Sequence, residues 1–279
     1  MPALTLYVDS NFIRPAVLMV ALLLASNADA SQWTDSAPVT QAFKDAGVTG
    51  TFVLYDVSAD RYTVHNRARA KVRYVPASTF KVPNTLIGLS LGSVASVDEV
   101  LPYGGRPQPL AVWEQDMSLR EAIKVSNVPV YQELARRTGL KRMREQVAKL
   151  DYGNGTIGTV VDKFWLVGPL KISAVEQAVF QARLAQDKLP FPKTAMAGTR
   201  EIMLTEKTPG YSLYSKTGWT DASVPGTGWW AGWVQKGDRV YAFALNIDIV
   251  GDADGPKRVP LGKASLAALG IIPLPAAPK

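Results

Sequence analysis

The sequence predicts an α/β protein of the α+β type: an antiparallel sheet built from both chain ends, flanked by helices, with an inserted all-helical lobe. Three observations predict it. Runs rich in β-branched and aromatic residues cluster near the start and near the end of the chain. Helix-start signals and apolar helical stretches fill the interval. The 279 residues are 47% hydrophobic and include no cysteine, so a large core must be held by packing and hydrogen bonds alone.

The elements follow in order. Residues 1–30 read as a secretory leader: Arg14, an apolar run from Pro15 to Ala25, then Ala28-Asp29-Ala30 as a small-residue cleavage site. The run is shorter than the roughly 20 residues that a membrane span needs. The remainder, 31–279, reads as one exported domain. Thr51–Val57 and Arg61–His65 read as a hairpin around a Ser-Ala-Asp turn. Pro76–Leu91 is apolar all round after its first residues, as in a core helix that starts near Ser78. Ser118-Leu-Arg-Glu121 and Ser173-Ala-Val-Glu176 are capping boxes, whose serine and glutamate side chains satisfy free amides at a helix start. Further helices are expected at Val130–Arg137, Leu140–Leu150 and Ala195–Leu204, giving a helical lobe over roughly 78–205. Strands are expected at Tyr211–Lys216, Gly228–Gln235 and Arg239–Asp248, and a closing helix over Pro256–Leu269.

The formal charge is +7; loss of residues 1–30 removes Arg14, Asp9 and Asp29 and leaves +8. That balance favours small anions, and no basic-aromatic stripe points to nucleic acid. His65 is the single histidine, so a Ser-His-Asp triad or a polyhistidine metal site would have to run through it. It lies on a hairpin, and no G-x-S-x-G elbow accompanies it. Asp252 and Asp254 lack the twelfth-position glutamate of a calcium loop and read as a turn. Trp229, Trp230 and Trp233 read as strand core, and Tyr152 and Asn154 as loop-shaping residues. No metal site is expected.

The chemistry rests on serine and lysine. Ser78-Thr79-Phe80-Lys81 places a hydroxyl and an amine three residues apart, on one face of a helix. A serine hydroxyl is a poor nucleophile until a neighbouring base takes its proton. A lysine can be that base when apolar surroundings lower its pKa. Ser126-Asn127-Val128 sits between helical stretches, where a loop can aim Ser126 into a cleft. Lys216-Thr217-Gly218 ends a predicted strand; the lysine and threonine suit an anionic group, and the glycine admits a close substrate backbone.

The set S-x-x-K, a serine loop and K-T-G, in this order, resembles penicillin-interacting serine enzymes. With PASTFK (76–81), SNV (126–128), YGN (152–154), DKFWLVGPLKIS (162–173), KTG (216–218) and GWWAGWV (228–234), the chain resembles the class D (oxacillinase-type) serine β-lactamases. The resemblance implies their fold and hydrolysis of the β-lactam amide through an acyl-enzyme, giving antibiotic resistance. It implies Ser78 as nucleophile and Lys81 as an N-carboxylated general base, with no cofactor beyond that carbon dioxide-derived carbamate. Ser126 would relay a proton to the leaving nitrogen, with Lys216 in the catalytic set. Trp165 would donate its indole N–H to the carbamate, and Val128 would pack against it. Lys216, Thr217, Gly218 and Arg258 would contact substrate. The oxyanion hole would use the backbone N–H groups of Ser78 and Thr220. The partner implied is a small-molecule β-lactam, with no nucleic acid and no stable membrane insertion once the leader is removed. Two relatives of the same chemistry stay open: a D,D-peptidase, and a sensor domain that acylates without turnover. Trp165 and the short form favour hydrolysis. A class A enzyme is disfavoured, because S-D-N and a loop glutamate base are missing.

Overall fold

The computed structural model describes residues 1–3, 5 and 33–274. Apart from positions 1–3 and 5, the leader expected over 1–30 lies outside the described residues. The chain divides into two units, Met1–Trp33 and Thr34–Lys279.

The second unit carries the site. The elements run β1 (Trp33–Asp35), α1 (Ala37–Ala46), β2 (Gly50–Asp56), β3 (Arg61–His65), α2 (Arg67–Ala70) and a 3₁₀ turn (Ala77–Phe80) leading into α3 (Lys81–Ser90). Then come β4 (Val100–Leu101), β5 (Met117–Ser118), α4 (Leu119–Lys124), α5 (Val128–Thr138), α6 (Leu140–Leu150), α7 (Ala174–Ala185) and α8 (Lys193–Met203). The chain closes with β6 (Leu204–Lys207), β7 (Ser212–Thr220), β8 (Gly226–Lys236), β9 (Arg239–Ile249) and α9 (Arg258–Ala268).

The sheet has the order β1-β3-β2-β9-β8-β7-β6. The pairs β2–β3, β2–β9, β9–β8, β8–β7 and β7–β6 are all antiparallel. β2 lies beside β9, so the early and late strands meet in the middle of the sheet, as the sequence predicts. One face packs on α1 and α9 through Val39, Phe43, Trp230, Phe243, Leu261 and Leu266. The other face receives α7.

Both capping boxes form. Ser118 Oγ accepts the Glu121 N–H and Ser173 Oγ accepts the Glu176 N–H, and each glutamate reaches back to its serine amide. Ser173→Ala is expected to cost about 1 kcal/mol, read as a lower urea midpoint at unchanged slope.

Several expectations are corrected. The helix over 76–91 begins with a 3₁₀ turn, and the α-helix starts only at Lys81. Pro83 is its third residue, where the missing N–H costs no intrahelical bond. α7 lies on the sheet and not among the lobe helices, because Ala174, Ala178 and Ala182 let it come close. β7 continues four residues past its expected end at Lys216. His65 takes a structural part at the hairpin, half-buried, with its Nδ1 hydrogen-bonding Thr40 Oγ1 at 2.9 Å and its ring packed on Phe43. α1 and β6 carry no expectation from the sequence.

Candidate active site

The 3₁₀ turn brings Ser78 to the surface of a cleft while burying its neighbours Ala77, Thr79 and Phe80. Ala77 has φ +50, a left-handed backbone that a non-glycine residue adopts at a cost. Lys81, the first residue of α3, is fully buried, and its Nζ lies 2.8 Å from Ser78 Oγ. The expected serine–amine pair is therefore in direct contact. Burial, reinforced by the nearby Lys216, holds the Lys81 pKa far below that of an exposed lysine. An amine that has lost its proton can accept one from the hydroxyl.

Ser126 lies in the link between α4 and α5, also at positive φ, +56. The following residue fixes that link: Asn127 Oδ1 accepts the Val130 N–H and caps α5, while its Nδ2 donates to the Trp113 carbonyl. Lys216 Nζ lies 3.0 Å from both Ser126 Oγ and the Thr217 carbonyl oxygen. Burial, and then the positive charge of Arg258, push the Lys216 pKa down to about 7. A Ser126–Lys216 pair thus faces the Ser78–Lys81 pair across the cleft.

Lys216-Thr217-Gly218 sits within β7 rather than at its end. Gly218 is required by the fold itself. A Cβ there would stand 3.0 Å from the Pro76 carbonyl oxygen and 3.3 Å from the Ser78 amide nitrogen, so its absence lets the catalytic turn lie against the strand.

Successive peptide groups of a strand point to opposite edges. The carbonyls of Leu213 and Thr217 face the β6 side, where they accept from Thr205 and Lys216. The Tyr214 carbonyl faces β8, against Gly232. By this alternation the Thr220 N–H points into the β7–β8 ladder, whereas the Trp219 N–H points to the open edge. That corrects the expected oxyanion donor by one residue. Thr220 acts instead as a tether: its Oγ1 donates to the Leu166 carbonyl at 2.7 Å and ties the 162–173 segment to the strand.

Ser78, Ser126, Val128, Thr217, Gly218 and Arg258 line one cleft of about 350 Å³. Its walls include Leu166, from the 162–173 segment, and Trp219, together with Leu110 and Trp113, which the sequence does not mark as part of a site. Arg258 is partly buried, donates to the Gly218 carbonyl and lies 5.5 Å from the Trp219 ring centroid. Trp165 is fully buried and stacks on Phe80 at 5.6 Å. Its Nε1 has no hydrogen-bond partner among the described residues. A buried donor left unsatisfied costs free energy, so this N–H is suited to an acceptor beyond the protein's own groups. Asn154 accepts from the Thr156 and Lys171 amides, in keeping with a loop-shaping part.

Comparison with known proteins agrees with this geometry. Residues 40–267 match the family described as the penicillin binding protein transpeptidase domain. The chain is 41% identical to beta-lactamase OXA-5 of Pseudomonas aeruginosa over 260 residues, covering 92% of this chain and 97% of that protein. It is 38% identical to beta-lactamase OXA-48 of Klebsiella pneumoniae, over 84% of this chain and 88% of that one. Among solved structures, that of FUS-1 (OXA-85), a class D β-lactamase from Fusobacterium nucleatum subsp. polymorphum, superposes with a TM-score of 0.83 at 43% identity. It covers 86% of this chain and 100% of that one. With its serine–lysine pair on a buried turn and K-T-G on the neighbouring strand, the chain belongs to the class D (OXA-type) serine β-lactamases of the transpeptidase fold.

Proposed function

We propose that this chain opens the β-lactam amide through an acyl-enzyme on Ser78, with Lys81 N-carboxylated as general base, and that it does so after export to the periplasm. The observation that carries the reading is a buried amine beside a hydroxyl: Lys81 Nζ, fully buried, lies 2.8 Å from the partly exposed Ser78, and the intervening Phe80 stacks on Trp165, whose indole N–H lacks an acceptor among the described residues.

A neutral amine adds to dissolved carbon dioxide and loses one proton, which turns a buried base into a buried anion. Such an anion is costly unless hydrogen-bonded, and the Trp165 N–H and Ser78 O–H are the donors at hand. Carboxylated, Lys81 supplies an oxygen that takes the Ser78 proton on acylation and a water proton on deacylation.

The remaining roles belong to unmodified side chains. Ser78 Oγ attacks the lactam carbonyl carbon. The amide N–H groups of Ser78 and Trp219 receive the oxygen as it becomes anionic. Ser126 gives its proton to the ring nitrogen as the C–N bond breaks, and Lys216, 3.0 Å away, replaces it. Thr217 and Arg258 hold the ring carboxylate. Val128 lines the cleft and keeps its inner end apolar.

Protonation sets the acid limit. The Lys81 pKa lies below its unfolded value, so the free amine persists to lower pH than an exposed lysine allows. As pH falls through that lowered value the amine takes a proton and the base is lost. In mildly acidic buffer stripped of carbon dioxide, hydrolysis of a chromogenic cephalosporin should fall, and added bicarbonate should restore it. Failure of bicarbonate to restore the rate excludes the carbamate. A single stoichiometric burst, in place of many turnovers, would instead identify a peptidase or a sensor.

A further inference from the structure

Beneath the turn that carries Ser78 lies a buried chain of polar groups. Thr79 is buried, and its Oγ1 donates to the Pro76 carbonyl at 2.7 Å. The same carbonyl accepts the Thr79 amide at 3.2 Å. With its one proton committed, Thr79 Oγ1 acts as acceptor toward its other neighbour, and Gln177 Nε2 of α7 donates to it at 2.7 Å. A relay thus runs from Gln177 through Thr79 to Pro76, and hydrogen bonds in series strengthen one another.

The relay closes over Ala77 and Ser78. Ala77 carries the left-handed φ of +50, a backbone that persists only where the surroundings over-determine it. The Pro76 carbonyl at the end of the relay is also the atom nearest to where a Gly218 Cβ would stand, so the relay governs how the turn seats against β7. Trp229 independently fixes the chain entering the turn, its Nε1–H donating to the Val75 carbonyl at 2.9 Å. Loss of the Gln177 bond would therefore leave the turn in place and loosen its shape. Gln177 does little for the fold itself. It is fully buried, and its Oε1 has no hydrogen-bond partner among the described residues, which costs stability that an apolar side chain of similar length would keep.

We infer that Gln177 is a positioning residue: through Thr79 it holds the Ser78 turn in the shape that aims the nucleophile's hydroxyl and amide. The inference rests on the proposed acyl-enzyme chemistry at Ser78 and adds the support that keeps that serine poised.

The test follows acylation by a chromogenic cephalosporin in stopped flow, beside the melting temperature of each variant. The unaltered protein must turn the substrate over and carry the acyl group on Ser78 by mass spectrometry; failure there overturns the underlying reading and the positioning role with it. Given that result, Gln177→Met, which drops the donor and keeps the length, should slow acylation about tenfold while melting no lower than the parent. Thr79→Val should slow it at least as much, and the double variant no more than Thr79→Val alone, because both changes cut one relay. Thr79→Ser, which keeps the hydroxyl, should recover most of the rate that Thr79→Val loses. Gln181→Met is the control. Gln181 is also fully buried on α7, neither of its amide atoms has a partner among the described residues, and its replacement should leave acylation at the parental rate. Parental acylation in Gln177→Met, losses that add in the double variant, an equal loss in Gln181→Met, or slowing only where the melting temperature falls overturns the positioning role and leaves the Ser78 chemistry standing.

Discussion

Lys81→Ala is expected to lower kcat for a chromogenic cephalosporin by about 10⁴, the upper range of general-base catalysis. Both halves of the reaction should suffer, because one amine touches the nucleophile and no second base stands within hydrogen-bond reach of Ser78 Oγ among the described residues. The loss should be chemical rather than structural. Burying an amine opposes folding, since the unfolded chain binds its proton more readily than the folded one does. Stability therefore rises with pH between the lowered folded pKa and the ordinary lysine value. Lys81→Met, which keeps the volume and drops the amine, should unfold at the same temperature as the parent or higher, while matching the alanine variant in lost turnover. A variant keeping more than about a tenth of the parental rate would show that the base lies elsewhere, because that residue would then supply less than the roughly hundredfold minimum expected of one.

Trp165→Phe is expected to slow deacylation by about 10- to 100-fold, the value of one hydrogen bond to a charged group. Phenylalanine preserves an aromatic surface against Phe80 and Phe164, so packing changes little, and what disappears is the unpartnered N–H. Acylation should slow less, since Ser78 and Lys81 remain in contact. Mass spectrometry of a quenched reaction should show the acyl-enzyme accumulating, and high bicarbonate should shorten its lifetime. Equal rates for both steps in variant and parent would remove Trp165 from the chemistry.

The sequence made the nucleophilic pair legible because three-residue spacing is local and survives any detail of the turn that carries it. It made the central strands legible through aromatic and β-branched runs such as Gly228–Gln235. It predicted the capping boxes correctly because their partners lie three residues apart. Register was harder. A one-residue slip along a strand moves every peptide group to the other edge, and that slip separates Thr220 from Trp219. The walls at Leu110 and Trp113 were illegible for another reason. Their side chains are ordinary apolar groups whose membership of the cleft depends on distant loops meeting. α1 went unread although its ends carry local cues, Ser36 accepting the Val39 amide, Pro38 in the first turn and Gly47 as a left-handed C-cap; its contribution to the fold comes from tertiary packing on the sheet.

The pairing of β2 with β9 has a consequence for biosynthesis. A ribosome that has read most of the messenger has still not released the strand that neighbours the second one it made. Until then the early hairpin has no partner on its inner side, and the nucleophile's turn has no ladder behind it. Such contacts between remote segments slow folding. A truncation ending before Arg239 should therefore yield no partially active enzyme, only an unfinished chain dependent on chaperones.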